Sequence, residues 1–124
     1  MGNKVLIVDD DPDIVTAIKF SLELEGLQTV AAYDGEQALE AVRQETPDVI
    51  VLDGMLPEIN GYKIARLLKF DEAFRATPIL MVTARAQQDD MKLGRETGVD
   101  EYITKPFDMG DLVAMVKRYL KPAA

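Results

Sequence analysis

The stretch Val49-Ile50-Val51-Leu52-Asp53-Gly54-Met55-Leu56-Pro57 runs through four consecutive apolar residues, meets a carboxylate and then turns. Such a run suits a strand buried on both faces, and strands of that kind belong to parallel sheets with helices on either side. Val5-Leu6-Ile7-Val8 and Ile79-Leu80-Met81-Val82 share the pattern, and Thr29-Val30-Ala31-Ala32 and Tyr102-Ile103-Thr104 are weaker versions of it. Between these runs apolar residues return at helical spacing, as in Ile14, Ile18 and Leu22, and again in Leu112, Val116 and Leu120. Asp11-Pro12 reads as an N-cap with proline at the first helical position, and Gly26 as the residue just past the helix end. Asp34 and Asp108 are cap candidates for the second and fifth helices; Thr46-Pro47 closes the second and Gly98 the fourth. The fourth helical segment, 86–97, is polar, with Met91 and Leu93 as its main apolar residues, and should be lightly packed. Five strand–helix units predict an α/β fold, a doubly wound (βα)5 three-layer sandwich with parallel strand order 2-1-3-4-5.

The bulk composition narrows the chemistry. At 124 residues the chain suits one domain, 1–124, with no room for an output domain beside it. It is 48% hydrophobic and 29% charged, enough apolar material for a packed core. There are no cysteines, which excludes disulfides, thiolate catalysis and cysteine-bound zinc. There are no histidines either, so His triads, His metal sites and phosphohistidine chemistry within the chain are excluded. A formal net charge of −8 opposes nucleic acid and anionic membrane, so no direct contact with either is expected. Met1-Gly2-Asn3-Lys4 leads straight into a four-residue apolar run with no secretory leader, too short to span a bilayer, and Leu6 and Ile7 stand where myristoylation needs Ser or Thr. A cytoplasmic protein is the expectation.

Ligands in open α/β sheets sit beyond the carboxyl ends of the strands, near the reversal in strand order. The first strand delivers Asp9 and Asp10 there, the third Asp53, the fourth Thr83, and the fifth leads to Lys105; the second, ending at Ala32, offers nothing comparable. Neighbouring first and third strands bring three carboxylates together, which repel one another unless a cation intervenes. A hard divalent ion with oxygen ligands fits, Mg²⁺ or Mn²⁺. Three carboxylates, one such ion and one lysine sum to zero charge, so a phosphoryl dianion meets no net repulsion. Thr83 and Lys105 then stand ready for phosphoryl oxygens. Asp53, which ends a central strand before a tight loop from Gly54 to Gly61, is the nucleophile candidate.

Asp9-Asp10, Asp53-Gly54-Met55-Leu56-Pro57 with Gly61, Thr83-Ala84 and Lys105-Pro106-Phe107, in register over nearly the whole chain, resemble the receiver domains of two-component response regulators. The resemblance implies a flavodoxin/CheY-like sheet and a signalling switch rather than an enzyme, with only self-phosphorylation from a donor and slow autodephosphorylation. It implies Asp53 as phosphoacceptor, Asp10, Asp53 and the Met55 backbone carbonyl as metal ligands, and Asp9 acting through water. It implies Thr83 and Lys105 as phosphoryl contacts, Thr83 and Tyr102 as the switch pair, and a cis bond before Pro106. A sensor histidine kinase or His phosphotransfer protein is the implied donor, and an output domain or protein the recipient. Two features depart from the pattern or tune it. Gly54 stands where larger apolar residues are common, and Met55 and Arg85 occupy positions that set phosphoryl lifetime. The last third is most similar to receivers of winged-helix transcription factors, which pair as phosphorylation-dependent homodimers through the fourth helix, fifth strand and fifth helix. Asp100, Glu101, Asp111 and Lys117 stand on that face, while Met91 and Met115 replace basic residues there.

Each residue also has a plainer reading. Asp9-Asp10 can be a solvated turn, Asp53 a loop residue, Thr83 a strand-end hydroxyl, Lys105 a solvent-facing amine and Tyr102 ordinary packing. The run Asp9, Asp11, Asp13 resembles a calcium loop, but Ile14 replaces its glycine and Phe20 its glutamate. A haloacid-dehalogenase-type phosphatase uses the same parts yet needs an acid two residues after the nucleophile, where Met55 stands. A pseudo-receiver would lack one of the acids or the lysine; all are present.

Overall fold

The computed structural model describes residues 3–56, 61–83 and 98–120. Pro57, Ala84, Arg85, Met91, Leu93 and the whole fourth helical segment lie outside them. Five strands and four helices are present among the described residues: β1 (Lys4–Val8), α1 (Pro12–Leu24), β2 (Gln28–Ala32), α2 (Gly35–Glu45), β3 (Val49–Asp53), α3 (Gly61–Lys69), β4 (Ile79–Thr83), β5 (Glu101–Thr104) and α4 (Met109–Tyr119). This α4 is the fifth helical segment of the sequence. The strands form one parallel sheet in the expected order β2-β1-β3-β4-β5.

Local chemistry accounts for the boundaries. The Asp11 carboxylate accepts from the Asp13 N–H ahead of Pro12, and Asp34 and Asp108 accept from the N–H groups of Gln37 and Asp111. At the end of α1, Gly26 adopts φ +82°. There the Leu27 N–H reaches the Leu22 carbonyl and the Gly26 N–H the Glu23 carbonyl, a Schellman closure that glycine permits. The buried face of α1 is Val15, Ile18 and Leu22, with Ile14 only partly covered. Spacing of four drifts around a 3.6-residue turn, so a 3–4 alternation follows the core more closely.

Pleating divides the core in two. Leu6, Val8, Ile50, Leu52, Ile79 and Met81 face α2 and α3. Val5, Ile7, Val49, Val51, Leu80 and Val82 face α1 and α4. Every residue of β3 and β4 is buried, as strands covered on both sides require, whereas β5 is half-buried along its length. Among the described residues no helix is long and apolar enough to cross a membrane. Leu52 is fully buried at the centre of the first core. Leu52→Ala should lower unfolding stability by about 3 kcal/mol, read as a reduced urea midpoint at unchanged slope.

Candidate functional site

Strand parity decides which side chains meet. Asp9 and Asp53 continue the Val5, Ile7 and Val49, Val51 series, and Lys105 continues that of Ile103, so all three incline to the α1/α4 side of the sheet's carboxyl edge. Side chains follow: the Lys105 ammonium lies 3.0 Å from Asp9 Oδ2 and 3.6 Å from Asp53 Oδ2. Asp10, one residue beyond Asp9, is exposed, and one carboxylate oxygen from each of Asp9, Asp10 and Asp53 falls within 4.8 Å of the others. Asp9 and Asp53 are only 2% and 3% exposed, so two of these charges stand largely out of water.

Backbone donors hold the acids in place. Asp53 Oδ1 accepts from the Met55 N–H at 3.0 Å, and Asp9 Oδ1 accepts from the Asp11 N–H at 2.9 Å. The Asp9 N–H donates to the Ala32 carbonyl, so β2 contributes backbone rather than a side chain. Behind Asp53, the Gly54 N–H donates to the Val82 carbonyl and the Gly61 N–H to the Gly54 carbonyl. A Cβ on Gly61 would overlap the Asp53 carbonyl oxygen, so only glycine lets α3 begin this close to the end of β3. Thr83 is buried at the end of β4, on the parity of Ile79 and Met81. Tyr102 lies alongside Met81 in the β4–β5 register and is half-buried against the α2/α3 core. The Lys105-Pro106 peptide is cis.

Burial pushes the Asp53 carboxyl above its ordinary value; Asp9 and Asp10 push the same way, against the Met55 N–H and Lys105. Burial opposes the charge on Lys105, but its bond to Asp9 and the attraction of Asp53 prevail and raise it. The donor set fits a hard divalent cation: three carboxylates in mutual reach, partly buried, without nitrogen or sulfur.

Two contacts have no counterpart in the sequence reading. The Tyr62 ring lies against Gly54, directly after Asp53, though no spacing rule connects the two. At the opposite end of the sheet Lys69 donates to the Arg75 and Thr77 carbonyls and to Asp100, whose carboxylate also accepts from the Ile79 N–H. Of the residues expected on a pairing face, Asp100 is thus engaged within the chain, Glu101 accepts from the Tyr119 hydroxyl, Lys117 pairs with Glu25, and Asp111 is exposed.

A parallel sheet with buried acids and a lysine at its carboxyl edge is the arrangement expected of a two-component switch domain. Residues 5–117 match the response regulator receiver domain, and the chain belongs to that family. Its members are phosphorylation-activated signalling switches rather than classical enzymes, and they work with sensor kinases and output domains. The alkaline phosphatase synthesis transcriptional regulatory protein PhoP of Bacillus subtilis (strain 168) is 42% identical over 98% of this chain and 50% of its own length. The DNA-binding response regulator MtrA of Mycolicibacterium smegmatis is also 42% identical, over 98% of this chain and 52% of its own. The receiver domain of the Francisella response regulator 1452 superposes with a TM-score of 0.88 at 33% identity, covering 94% of this chain and 95% of that one. The chain spans about half the length of the curated relatives it matches. The expectation of no direct nucleic-acid contact therefore needs qualification, because relatives of twice the length are named as DNA-binding.

Asp53→Asn removes a buried charge whose carboxyl is held above its ordinary value by burial. A raised acid stabilises the fold most at low pH and loses that contribution as pH climbs through its folded value. With chelator at pH 7, Asp53→Asn should therefore melt at a higher temperature than the native chain. The difference should close as pH falls towards 3.8.

Proposed function

We propose that this chain takes a phosphoryl group onto the Asp53 carboxylate from a phosphohistidine on a sensor histidine kinase or His phosphotransfer protein. The observation that carries this reading is the convergence of Asp9, Asp10, Asp53 and Lys105 at one sheet edge, with Asp53 buried yet bonded by the Met55 N–H. An Asp53 oxygen attacks phosphorus, the phosphorus–nitrogen bond of the donor breaks, and its electron pair returns to the donor imidazole. Asp10, Asp53 and the Met55 backbone carbonyl would hold Mg²⁺ (or Mn²⁺), with Asp9 acting through water. When bound, the ion neutralises charge between carboxylate and phosphoryl oxygens.

The protein's own groups do the rest. Lys105, shared in this structure between Asp9 and Asp53, turns its ammonium to a phosphoryl oxygen, and the Thr83 hydroxyl takes another. Phosphorylation adds about −1.5 to −2 charges at this edge and biases two pre-existing arrangements of Thr83 and Tyr102. Slow hydrolysis resets the site. Residues 1–124 thus form the receiving module of a cytoplasmic regulator, delivering to an output domain or a separate protein. A homodimer through the fourth helical segment, β5 and α4 is the proposed form of delivery. DNA contact is assigned to the output part, because this chain carries a net charge of −8.

Incubation with acetyl phosphate and Mg²⁺ should add one phosphoryl group, about 80 Da by intact mass. The gain should be absent in Asp53→Asn and without the ion; no adduct under any condition would make the chain a binding module instead. Thr83→Ala should still be phosphorylated on Asp53 while losing the phosphorylation-dependent chemical-shift changes of β5. Loss of adduct in Thr83→Ala would assign Thr83 to the chemistry rather than to the switch.

A further inference from the structure

Gly54 has no side chain, yet the space beside it is filled. A Cβ built there would stand 3.3 Å from Tyr62 Cε2 and 3.3 Å from Met81 Sδ, with Tyr62 Cζ at 3.7 Å. Those first two distances are tighter than ordinary packing contacts, so the ring and the thioether already occupy the volume that residue 54 would otherwise claim. Tyr62 is 7% exposed, on the first turn of α3, and belongs to the α2/α3 core. Its backbone neighbour Gly61 abuts the Asp53 carbonyl and donates to the Gly54 carbonyl. A large residue from α3 therefore takes the place of a missing one on the phosphoacceptor loop.

The geometry points to Tyr62 as a positioning residue for Asp53, its ring fixing the Gly54 backbone so that the Met55 N–H stays on Asp53 Oδ1. This inference rests on Asp53 being the phosphoacceptor. Glycine has the largest backbone freedom of any residue, and among the described residues Gly54 is tied by its N–H to Val82 and its carbonyl to Gly61. With the ring in place the peptide between Gly54 and Met55 has little room to rotate. Without it, the Met55 N–H leaves the carboxylate oxygen that it bonds at 3.0 Å. The aromatic volume is what acts, so a phenylalanine serves as well as the tyrosine.

The test follows acetyl phosphate uptake by intact mass with Mg²⁺, at a temperature where circular dichroism shows each variant folded. Tyr62→Phe should react within about twofold of the native rate, whereas Tyr62→Ala should be slowed about tenfold or more, as misplaced reacting groups are. Gly54→Leu crowds the same volume and should be slowed likewise. The double variant Gly54→Leu/Tyr62→Ala, which returns one large side chain to the space, should recover most of the native rate, a coupling that independent sites do not show. A folded Tyr62→Ala protein reacting at the native rate overturns the proposal. So does a double variant as slow as the product of its singles, or a Tyr62→Phe as slow as Tyr62→Ala. Should Tyr62→Ala not fold, Gly54→Ala and Gly54→Ala/Tyr62→Leu decide in its place: rate lost and regained supports the role, and an unchanged Gly54→Ala rate removes it. A native chain that takes up no phosphoryl group defeats the Asp53 reading itself; native uptake with indifferent Tyr62 variants defeats this inference alone.

Discussion

Three carboxylates face one ammonium group at the carboxyl edge of the sheet, and much of the surrounding structure answers that imbalance. Asp9 and Asp53 repel each other across a space largely closed to water, where charge interactions are stronger than at the surface. Lys105 offsets part of this by standing between them, and the N–H groups of Asp11 and Met55 each satisfy one further oxygen. The remaining negative charge and the all-oxygen donor set suit the edge to a hard divalent cation.

Holding that arrangement requires strands that end in step. Val8 pairs with Leu52, and Asp53 with Val82, so the acids leave β1 and β3 at nearly the same height. Thr83 pairs with Thr104, so β4 and β5 close one residue short of Lys105, whose N–H still reaches the Thr83 carbonyl. The turn after Asp53 is drawn back by Gly61, which lets α3 start directly beneath it. Register thus brings the ends of β1 and β3 and the residue after β5 together, so that Asp9, Asp10, Asp53 and Lys105 meet.

The sheet and its order were legible because unbroken apolar runs such as Val49-Ile50-Val51-Leu52 have few other readings, and because Asp34 and Asp108 announce the helices that follow. The site acids were legible for a related reason: the polar residue that ends an apolar strand falls at the sheet edge. β5 showed only weakly, since a half-buried edge strand carries no continuous apolar run. Other details depend on approaches between segments that no local pattern encodes. These include the Tyr62 ring against Gly54, the three bonds of Lys69, and the Met55 N–H on Asp53 where its carbonyl had drawn attention. Val15 in place of Ile14 on the buried face of α1 reflects the drift of a four-residue spacing.

Tyr102 and Lys105 both belong to β5 or its immediate continuation, and among the described residues β5 has a single hydrogen-bonded neighbour. A strand inside the sheet is anchored by two ladders, and displacing it would disturb both halves of the core. An edge strand breaks one ladder and carries its movement directly to the outer surface. Lys105, whose ammonium lies between Asp9 and Asp53, is therefore mounted on the margin of the sheet, where a small rearrangement disturbs little of the core and is immediately visible to whatever lies against that side.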